Sequence, residues 1–305
     1  MPTSGRRPSP RPDHMMAGQV CVVTGASSGI GKAASLALAR LGATVVLVCR
    51  NAERGEAALA EVSAAAVAGK PALEITDLSS MAQVRELAGR LSRRDRIDVV
   101  VNNAGLVLGD RRVTPDGFEY TFAVNHLAPF LLTNLLRANL LASAPSRVVT
   151  VSSAVHRGAR LDLDDLQSER HYSGLRAYAN GKLANILFTR ELARQLDDSG
   201  VTANCLHPGS VKTGFGNEGG TLLKVGLSAI LPSLRSPEMG AFTLVYLASS
   251  PAVTDVTGGY YVSAARRRPS RAARNEATAR RLWQLSAELT GLDGAHGEWG
   301  GAGRP

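Results

Sequence analysis

The 305 residues, of which 44% are hydrophobic and 20% charged, suffice for one large domain with its own buried core. No run reaches the ~18 to 20 apolar residues that cross a bilayer, and the opening MPTSGRRPSPRPDH lacks the apolar core of a signal peptide. These patterns favour a cytoplasmic protein without a transmembrane segment. Cys21, Cys49 and Cys205 lie in apolar runs without the close spacing of metal ligands, which indicates reduced thiols and no metal site.

The net charge of +9 is concentrated in two short segments. Residues 1–14 carry three arginines against Asp13, and residues 266–281 carry seven arginines against Glu276, so eight of the nine excess charges lie there. The remaining body is nearly neutral, which fits a small-molecule enzyme better than a protein that binds a phosphate backbone. We therefore expect that nucleic acid is not a partner.

Seven short apolar runs recur along the chain with helical patterns between them. They are QVCVVT, TVVLVC, PALEIT, IDVVVN, RVVTVS, VTANCLH and GGYYVS. Most are nearly continuous in Val, Ile and Leu, as in strands that are covered on both faces. The segments between them, such as GKAASLALARLG, repeat apolar residues at helical spacing. The pattern predicts an α/β fold, a single doubly wound (Rossmann) domain whose seven-stranded, mainly parallel sheet has helices on both faces.

The composition of the two ends sets the predicted domain boundaries. Residues 1–16 are rich in Pro, Arg and Ser and are interpreted as a disordered N-terminal lead. The Rossmann domain is predicted over residues 17–292. Its last part, about 266–292, is expected to be a C-terminal helical extension, and residues 293–305 a flexible tail.

A glycine-rich turn, Gly25-Ala26-Ser27-Ser28-Gly29-Ile30-Gly31, joins the first predicted strand to the first predicted helix. Its glycines permit a tight turn and a close approach to a pyrophosphate, whose negative charge is favoured at a helix N-terminus. A glycine-rich string alone is weak evidence, because an ordinary βα turn looks similar. Its position in the first crossover favours a dinucleotide-binding loop.

The residue after the second strand indicates which dinucleotide binds. An NAD enzyme places an acid there, about 20 residues past the loop, to bind the ribose 2′-hydroxyl, whereas this chain has Arg50. A guanidinium suits a 2′-phosphate, and Lys32 adds positive charge nearby. We therefore predict NADP(H), against the alternative that Arg50 is a solvated charge at a strand end. Asp77, followed by Leu78, ends the third strand and either meets the adenine or caps the next helix.

Tyr178 and Lys182 lie four residues apart at the head of a helical run, so their side chains share one helix face. An adjacent ammonium stabilises a phenolate, so we expect Lys182 to lower a tyrosine pKa that starts near ~10. Taken alone, such a pair is usually a surface contact. Its significance depends on the residues that accompany it.

Together these motifs resemble the short-chain dehydrogenase/reductase family over nearly the whole chain. The glycine-rich turn looks like the family's cofactor loop, and Asn102-Asn103-Ala104-Gly105 looks like its sheet-stabilising NNAG motif. Asn125, Ser153, Tyr178 and Lys182 look like its catalytic tetrad. The wider pattern, including DGFEYTFAVNHLAPFLLT and HPGSVKT, is similar to the retinol dehydrogenase-like branch, which includes WW-domain oxidoreductase.

The resemblance implies a role for each of these side chains. Tyr178 would protonate the carbonyl oxygen, Lys182 would hold the nicotinamide ribose, and Ser153, preferred to Ser152 by motif position, would orient that oxygen. Asn125 would complete a proton path through a backbone-bound water. Beyond the glycine loop, Tyr178 and Lys182, the resemblance implies these cofactor-binding residues: Arg50, Asp77, Leu78, Asn103, Ala104, Gly105, Pro208, Gly209, Val211 and Thr213.

Two substitutions depart from the family pattern. Gly181 stands where the family usually has Ser, which is expected to loosen the helix. Ala128-Pro129 replaces a Gly-His pair after Asn125, and a proline inside a helix removes a hydrogen bond and is expected to kink it. His126, His156 and His207 lack metal-ligand spacing and are interpreted as structural or pocket-lining residues.

We therefore predict an NADP(H)-dependent oxidoreductase that interconverts an alcohol and a ketone or aldehyde. The resemblance implies a substrate lid at about 213–237, whose apolar character favours a lipophilic retinol-like, steroid-like or secondary-metabolite substrate. The same stretch fits an amphipathic helix at a membrane surface, so peripheral membrane contact stays open, as does homo-oligomerisation. One alternative is an inactive dinucleotide-sensing or scaffold protein of the same fold. Another is a nucleic-acid or acidic-surface binder that uses the arginine-rich ends.

Overall fold

A computed structural model of the chain describes residues 15–211 and 235–292. The strands run in chain order as β1 Val20–Thr24, β2 Thr44–Cys49, β3 Ala72–Ile75, β4 Val99–Asn102, β5 Ser146–Val151, β6 Val201–His207, β7 Tyr260–Val262 and β8 Ala265–Arg267. They form one sheet in the order β3-β2-β1-β4-β5-β6-β7-β8, parallel except for the pair β7–β8. The doubly wound α/β prediction is confirmed, and its seven predicted runs become β1 to β7.

An eighth strand, β8, lies where we predicted the helical extension to begin. The chain reverses at Ser263 and Ala264, whose φ angles of 50° and 56° form a two-residue hairpin turn. Such turns usually contain Asn or Gly, so Ser-Ala carries no sequence signal for this hairpin. The extension instead comprises β8, a short 3₁₀ turn at Ala272–Arg274, and a helix at Glu276–Thr290.

Helices cover both faces of the sheet. They are α1 Gly29–Arg40, α2 Ala52–Ala65, α3 Met81–Leu91, α4 Tyr120–Phe122, α5 Ala128–Leu135, α6 Arg137–Ala142, α7 Gly174–Gln195, α8 Pro237–Ser249 and α9 Glu276–Thr290. One apolar core lies between the sheet and the helices α3, α5, α7 and α9, and a second lies under α1, α2 and α8. Because the central strands β1, β2 and β4 are covered on both faces, they are buried and almost entirely apolar.

The predicted boundaries fall largely on residues outside the described ranges. Residues 1–14, the tail 293–305 and most of the predicted lid lie there. Met16, which we assigned to the N-terminal lead, is buried in the second core, and its N–H donates to the Leu41 carbonyl at 2.8 Å. Across the described residues, no helix is long and apolar enough to cross a membrane.

An aromatic cluster attaches α9 to the rest of the fold. The ring centre of Trp283 on α9 lies 4.9 Å from that of Phe130 on α5 and 5.7 Å from that of Phe188 on α7. The imidazole of His126 is buried among these rings, and its Nε2 is hydrogen-bonded to Ser286 Oγ on α9 at 2.9 Å. Burial lowers the pKa of His126 from 6.5 to about 4, so the folded protein holds it neutral.

Protonation of His126 is therefore expected to oppose folding in acid. Between pH 6.5 and about 4 the unfolded chain binds a proton at this residue that the folded chain does not, so stability falls as the pH falls through this window. His126→Phe keeps an aromatic ring and removes the titration. Near pH 5 the unfolding free energy of this variant should depend less steeply on pH than that of the wild type, by about 1.4 kcal/mol per pH unit. Urea unfolding of both proteins from pH 4.5 to 7 measures this, and identical slopes would contradict it.

Candidate active site

The glycine-rich turn lies at the carboxyl edge of the sheet, between β1 and α1. A Cβ at Gly31 would lie 2.2 Å from the Gly25 carbonyl oxygen, so only glycine permits this close contact of loop and helix. The first turn of α1 contains no acidic residue, and the Ser28 side chain makes no capping hydrogen bond to it. The N–H groups at this helix end and the Ser28 hydroxyl therefore form a site that suits an anion.

The predicted NNAG motif joins the ends of β4 and β1. The Asn103 side-chain amide donates to the Thr24 carbonyl at 2.8 Å and to the Gly25 carbonyl at 3.3 Å. The Thr24 hydroxyl accepts from the backbone N–H groups of Asn103 and Ala104 at 3.0 and 3.1 Å. These bonds hold the loop beside residues 103–105, so both predicted cofactor segments lie together.

Arg50 is exposed at the end of β2, on the same edge of the sheet. Its Nη1 donates to the Tyr120 hydroxyl at 3.3 Å across a separation of 70 residues. No pattern in the sequence indicated that Tyr120 lies beside Arg50, because this contact depends on where α4 packs. Lys32, which we expected to add positive charge nearby, forms an exposed ion pair with Glu61 at 2.9 Å.

Asp77 and Leu78 follow β3 on this edge. Asp77 Oδ1 accepts from the Ser79 N–H at 2.9 Å and stabilises the turn, whereas Ser80 is the N-cap of α3 and accepts from the Gln83 N–H. Ser80, and not Asp77, therefore caps α3. This excludes one of the two alternatives predicted for Asp77. Leu78 is buried, with 8% of its surface exposed.

The two serines after β5 have different surroundings. The Ser152 hydroxyl is buried and donates to the Lys182 carbonyl at 2.7 Å, which attaches α7 to the end of the sheet. Ser153 is only partly buried, and its hydroxyl is hydrogen-bonded to Tyr178. The structure thus brings Ser153, rather than Ser152, to the phenol.

Tyr178 and Lys182 lie side by side on α7, but the expected lowering of the tyrosine pKa is wrong for this structure. Burial raises the pKa of Tyr178 to about 12, and the Ser153 hydrogen bond opposes only part of this rise. The Lys182 ammonium lies 5.6 Å from the centre of the phenol ring and donates to the Val151 carbonyl at 3.0 Å. Burial lowers the pKa of Lys182 to about 8. Desolvation therefore outweighs the attraction between the two groups.

Asn125 is fully buried in a π-helical turn, Ala123–Leu127. Its side-chain oxygen accepts from the Leu106 N–H at 2.8 Å, and its amide donates to the Leu106 carbonyl at 2.9 Å. A Cβ at Gly105 would lie 3.2 Å from both Asn125 Oδ1 and Lys182 Nζ, so this glycine keeps the space between them open. The structure thus brings Asn125 and Lys182 together beside Gly105.

The two departures from the family pattern both lie beside Asn125. α7 continues through Gly181 without interruption, and a Cβ there would lie 3.4 Å from the Asn125 Cβ. Pro129 is at the start of α5, directly after the π-helical turn, where a proline is tolerated. It has no N–H to donate to the Asn125 carbonyl four residues earlier.

The loop after β6 carries Pro208, Gly209 and Val211. Val211 pairs with Arg235 in an isolated bridge, and a Cβ at Gly240 of α8 would lie 2.6 Å from Val211 Cγ2 and 3.1 Å from Ile30 Cγ1. The start of α8 therefore holds this loop against the glycine-rich turn. Burial lowers the pKa of His207, just before this loop, to about 4, so it is neutral at physiological pH. Thr213 lies outside the described residues.

The sequence of this chain is similar to those of known enzymes. The sequence profile of the short chain dehydrogenase family matches residues 19–221. The chain is 42% identical to retinol dehydrogenase 13 of Homo sapiens over 90% of this chain and 86% of that protein. It is 41% identical to retinol dehydrogenase 14 of Homo sapiens over 91% and 88%.

Solved structures show the same fold. An uncharacterised protein of Mycobacterium paratuberculosis superposes with a TM-score of 0.74 at 34% identity, covering 90% of this chain and 94% of that one. A short chain dehydrogenase of Escherichia coli CFT073, crystallised with NADPH, superposes with a TM-score of 0.66 at 27% identity, covering 83% and 99%.

Proposed function

Because this chain belongs to the short-chain dehydrogenase/reductase family and is a retinol dehydrogenase-like oxidoreductase that acts on CH–OH groups with NAD(P), we propose that it interconverts a lipophilic alcohol and its ketone or aldehyde using NADP(H). One juxtaposition carries the proposal. Ser153, Tyr178 and the buried Lys182 lie together at the carboxyl edge of the sheet, which also carries the glycine-rich turn. Ligands of open α/β sheets bind at this edge.

The residues at this edge fit a phosphorylated dinucleotide. The free N–H groups of α1, with Ser27, Ser28 and Ile30 beside them, suit the pyrophosphate, and Gly25, Gly29 and Gly31 leave room for it. Asp77, Leu78, Asn103, Ala104 and Gly105 would line the adenosine side, and Pro208, Gly209, Val211 and Thr213 the nicotinamide side. Arg50 favours NADP(H), because a guanidinium binds a 2′-phosphate with charge-assisted hydrogen bonds. The Escherichia coli short chain dehydrogenase of similar fold was crystallised with NADPH, which supports this choice.

The environment of Tyr178 favours a proton donor. A pKa raised to about 12 keeps the phenol protonated at neutral pH, so it can give a proton to a carbonyl oxygen during reduction. The Ser153 hydroxyl, hydrogen-bonded to the phenol, would orient that oxygen and stabilise its developing charge. The bound nicotinamide supplies or accepts the hydride. Lys182 would hold the cofactor ribose and, as an ammonium, stabilise the tyrosinate that remains.

Asn125 would complete the path by which Tyr178 regains its proton. Its side chain is engaged with Leu106, and its carbonyl oxygen receives no N–H from residue 129, which is proline. That carbonyl would bind a water that connects Lys182 to solvent. Pro129 thus favours the proposed path rather than disrupting it.

A lipophilic substrate is supported by the relatives, which are named as retinol dehydrogenases. Monitoring NADPH oxidation with retinal, steroid ketones and short aldehydes, and NADP⁺ reduction with the matching alcohols, tests this proposal. Turnover that rises with the apolar size of the substrate is expected. NADPH binding without turnover of any carbonyl or alcohol would instead favour the inactive sensor of the same fold.

Tyr178→Phe should reduce turnover by at least about 10²-fold, because it removes the proton donor and leaves the ring. NADPH affinity, measured by fluorescence titration, should stay within twofold of the wild type. Tyr172→Phe is the matched control, because the Tyr172 hydroxyl donates to the Leu108 carbonyl at 3.2 Å and has no proposed catalytic role. Retained turnover in Tyr178→Phe would contradict the acid–base assignment.

Arg50→Asp should lower the ratio of kcat/KM for NADPH to that for NADH by about 10- to 100-fold, since it replaces a 2′-phosphate donor by a repelling charge. Lys32→Gln is the control, and because Lys32 is already paired with Glu61, its effect should be smaller. Steady-state kinetics with both cofactors and one carbonyl substrate measure the ratio. An unchanged ratio in Arg50→Asp would refute the preference for NADP(H).

A further inference from the structure

We propose that His156 is a positioning residue for Ser153, whose carbonyl it binds, and that its second nitrogen attaches this turn to the segment Arg268–Ser270, here called the C-terminal strap. The inference rests on the proposed function, in which Ser153 orients the substrate oxygen. The strap lies outside the motifs that identify the site. The contacts of His156 join the turn after β5 to the chain that follows β8.

The two nitrogens of His156 have distinct partners. The side chain is fully buried, in the 3₁₀ turn Ala154–Gly158 that begins directly after Ser153. Its Nδ1 lies 2.7 Å from the Ser153 carbonyl oxygen, and its Nε2 lies 3.2 Å from the Ser270 backbone nitrogen. A carbonyl only accepts and a backbone N–H only donates, so Nδ1 carries the proton and Nε2 accepts. The neutral ring with its proton on Nδ1 therefore satisfies both partners.

The surroundings of the ring favour this neutral form. Burial lowers the pKa of His156, and the neighbouring Arg157 guanidinium lowers it further. Tyr260 of β7 packs against the imidazole with ring centres 5.2 Å apart and planes at 65°. The ring thus has an aromatic contact as well as a partner at each nitrogen.

A second contact attaches the same turn to the strap. Arg157 Nη2 donates to the Arg268 carbonyl at 3.1 Å. Beyond it, the Ser270 hydroxyl accepts from the Ala273 N–H at 3.3 Å and so stabilises the next turn of the chain. The strap is therefore anchored on both sides of its contact with His156.

These contacts bear on Ser153 through its backbone. The Ser153 carbonyl also accepts from the His156 N–H, but at 3.3 Å, so the imidazole provides the shorter of the two bonds. The Ser153 hydroxyl reaches Tyr178 with the backbone at residue 153 in an extended conformation, which the hydrogen bonds at its carbonyl help to fix. Misplacement of a reacting group by about 1 Å costs up to ~10²-fold in rate, so a loosened Ser153 should slow the chemical step.

Two amide substitutions separate the two contacts. The amide of His156→Asn takes the place of Nδ1 and keeps a donor for the Ser153 carbonyl, but it does not reach the strap. The amide of His156→Gln takes the place of Nε2 and reaches Ser270, but it leaves the Ser153 carbonyl without its side-chain donor. Both replacements are polar and uncharged, so each variant controls for the other.

We expect opposite orders of effect in two measurements. His156→Gln should lower kcat for carbonyl reduction about tenfold or more, with KM for NADPH within twofold, while His156→Asn keeps kcat within about threefold of the wild type. Thermal unfolding should show the reverse order, with the lower Tm in His156→Asn. Each kcat is calculated per NADPH-binding site, from fluorescence titration, so that misfolded protein does not count.

Equal kcat values in the two variants, or a loss of kcat that follows Tm, would overturn the positioning role and leave His156 as a structural residue. Tyr178→Phe, measured in the same assay, keeps this result separate from the proposed function. If Tyr178→Phe abolishes turnover while the His156 variants match, only the positioning inference fails. If Tyr178→Phe retains turnover, the proposed function fails first.

Discussion

The site depends on one buried ammonium group, that of Lys182, and on the carbonyl that solvates it. Lys182 is almost fully buried, and a charge there is tolerated only with hydrogen-bond partners, which the Val151 carbonyl at the end of β5 supplies in part. Ser152 returns a hydrogen bond to the Lys182 carbonyl, and Asn185 on the next turn of α7 also donates to Val151. These three bonds hold the end of β5 against α7. Ser153 follows the strand and Tyr178 precedes Lys182, so their mutual position follows from this contact.

Burial at this junction determines the protonation states. The same desolvation that lowers the pKa of Lys182 raises that of Tyr178, because each charged form loses water. A protonated phenol beside a buried cationic site suits proton donation, and the reverse reaction requires that the phenol be deprotonated first. In the proposed enzyme, the positively charged oxidised nicotinamide would favour that deprotonation.

Segments of irregular backbone lie next to this junction of β5 and α7. The π-helical turn at Asn125 is followed by Pro129, which has no N–H to donate to the Asn125 carbonyl four residues earlier. The 3₁₀ turn after Ser153 is attached to the strap through His156 and Arg157. Both departures from regular structure lie next to proposed catalytic residues, and both are supported by contacts distant in sequence.

The sequence alone determined the layered fold, the seven parallel strands and the grouping of the motif residues at one sheet edge. Those features depend on local periodicity and on glycines in a turn that leaves no room for a side chain, so they can be predicted from neighbouring positions. Tertiary packing alone decided the pairing of Arg50 with Tyr120, the ion pair that occupies Lys32, the β8 hairpin at Ser263 and Ala264, and the contact of His156 with Ser270. It also decided that burial outweighs the effect of Lys182 on Tyr178. The hairpin is local, but its Ser-Ala turn carries no sequence signal. The others depend on desolvation or on residues far apart in the chain, and neither is encoded in a local pattern.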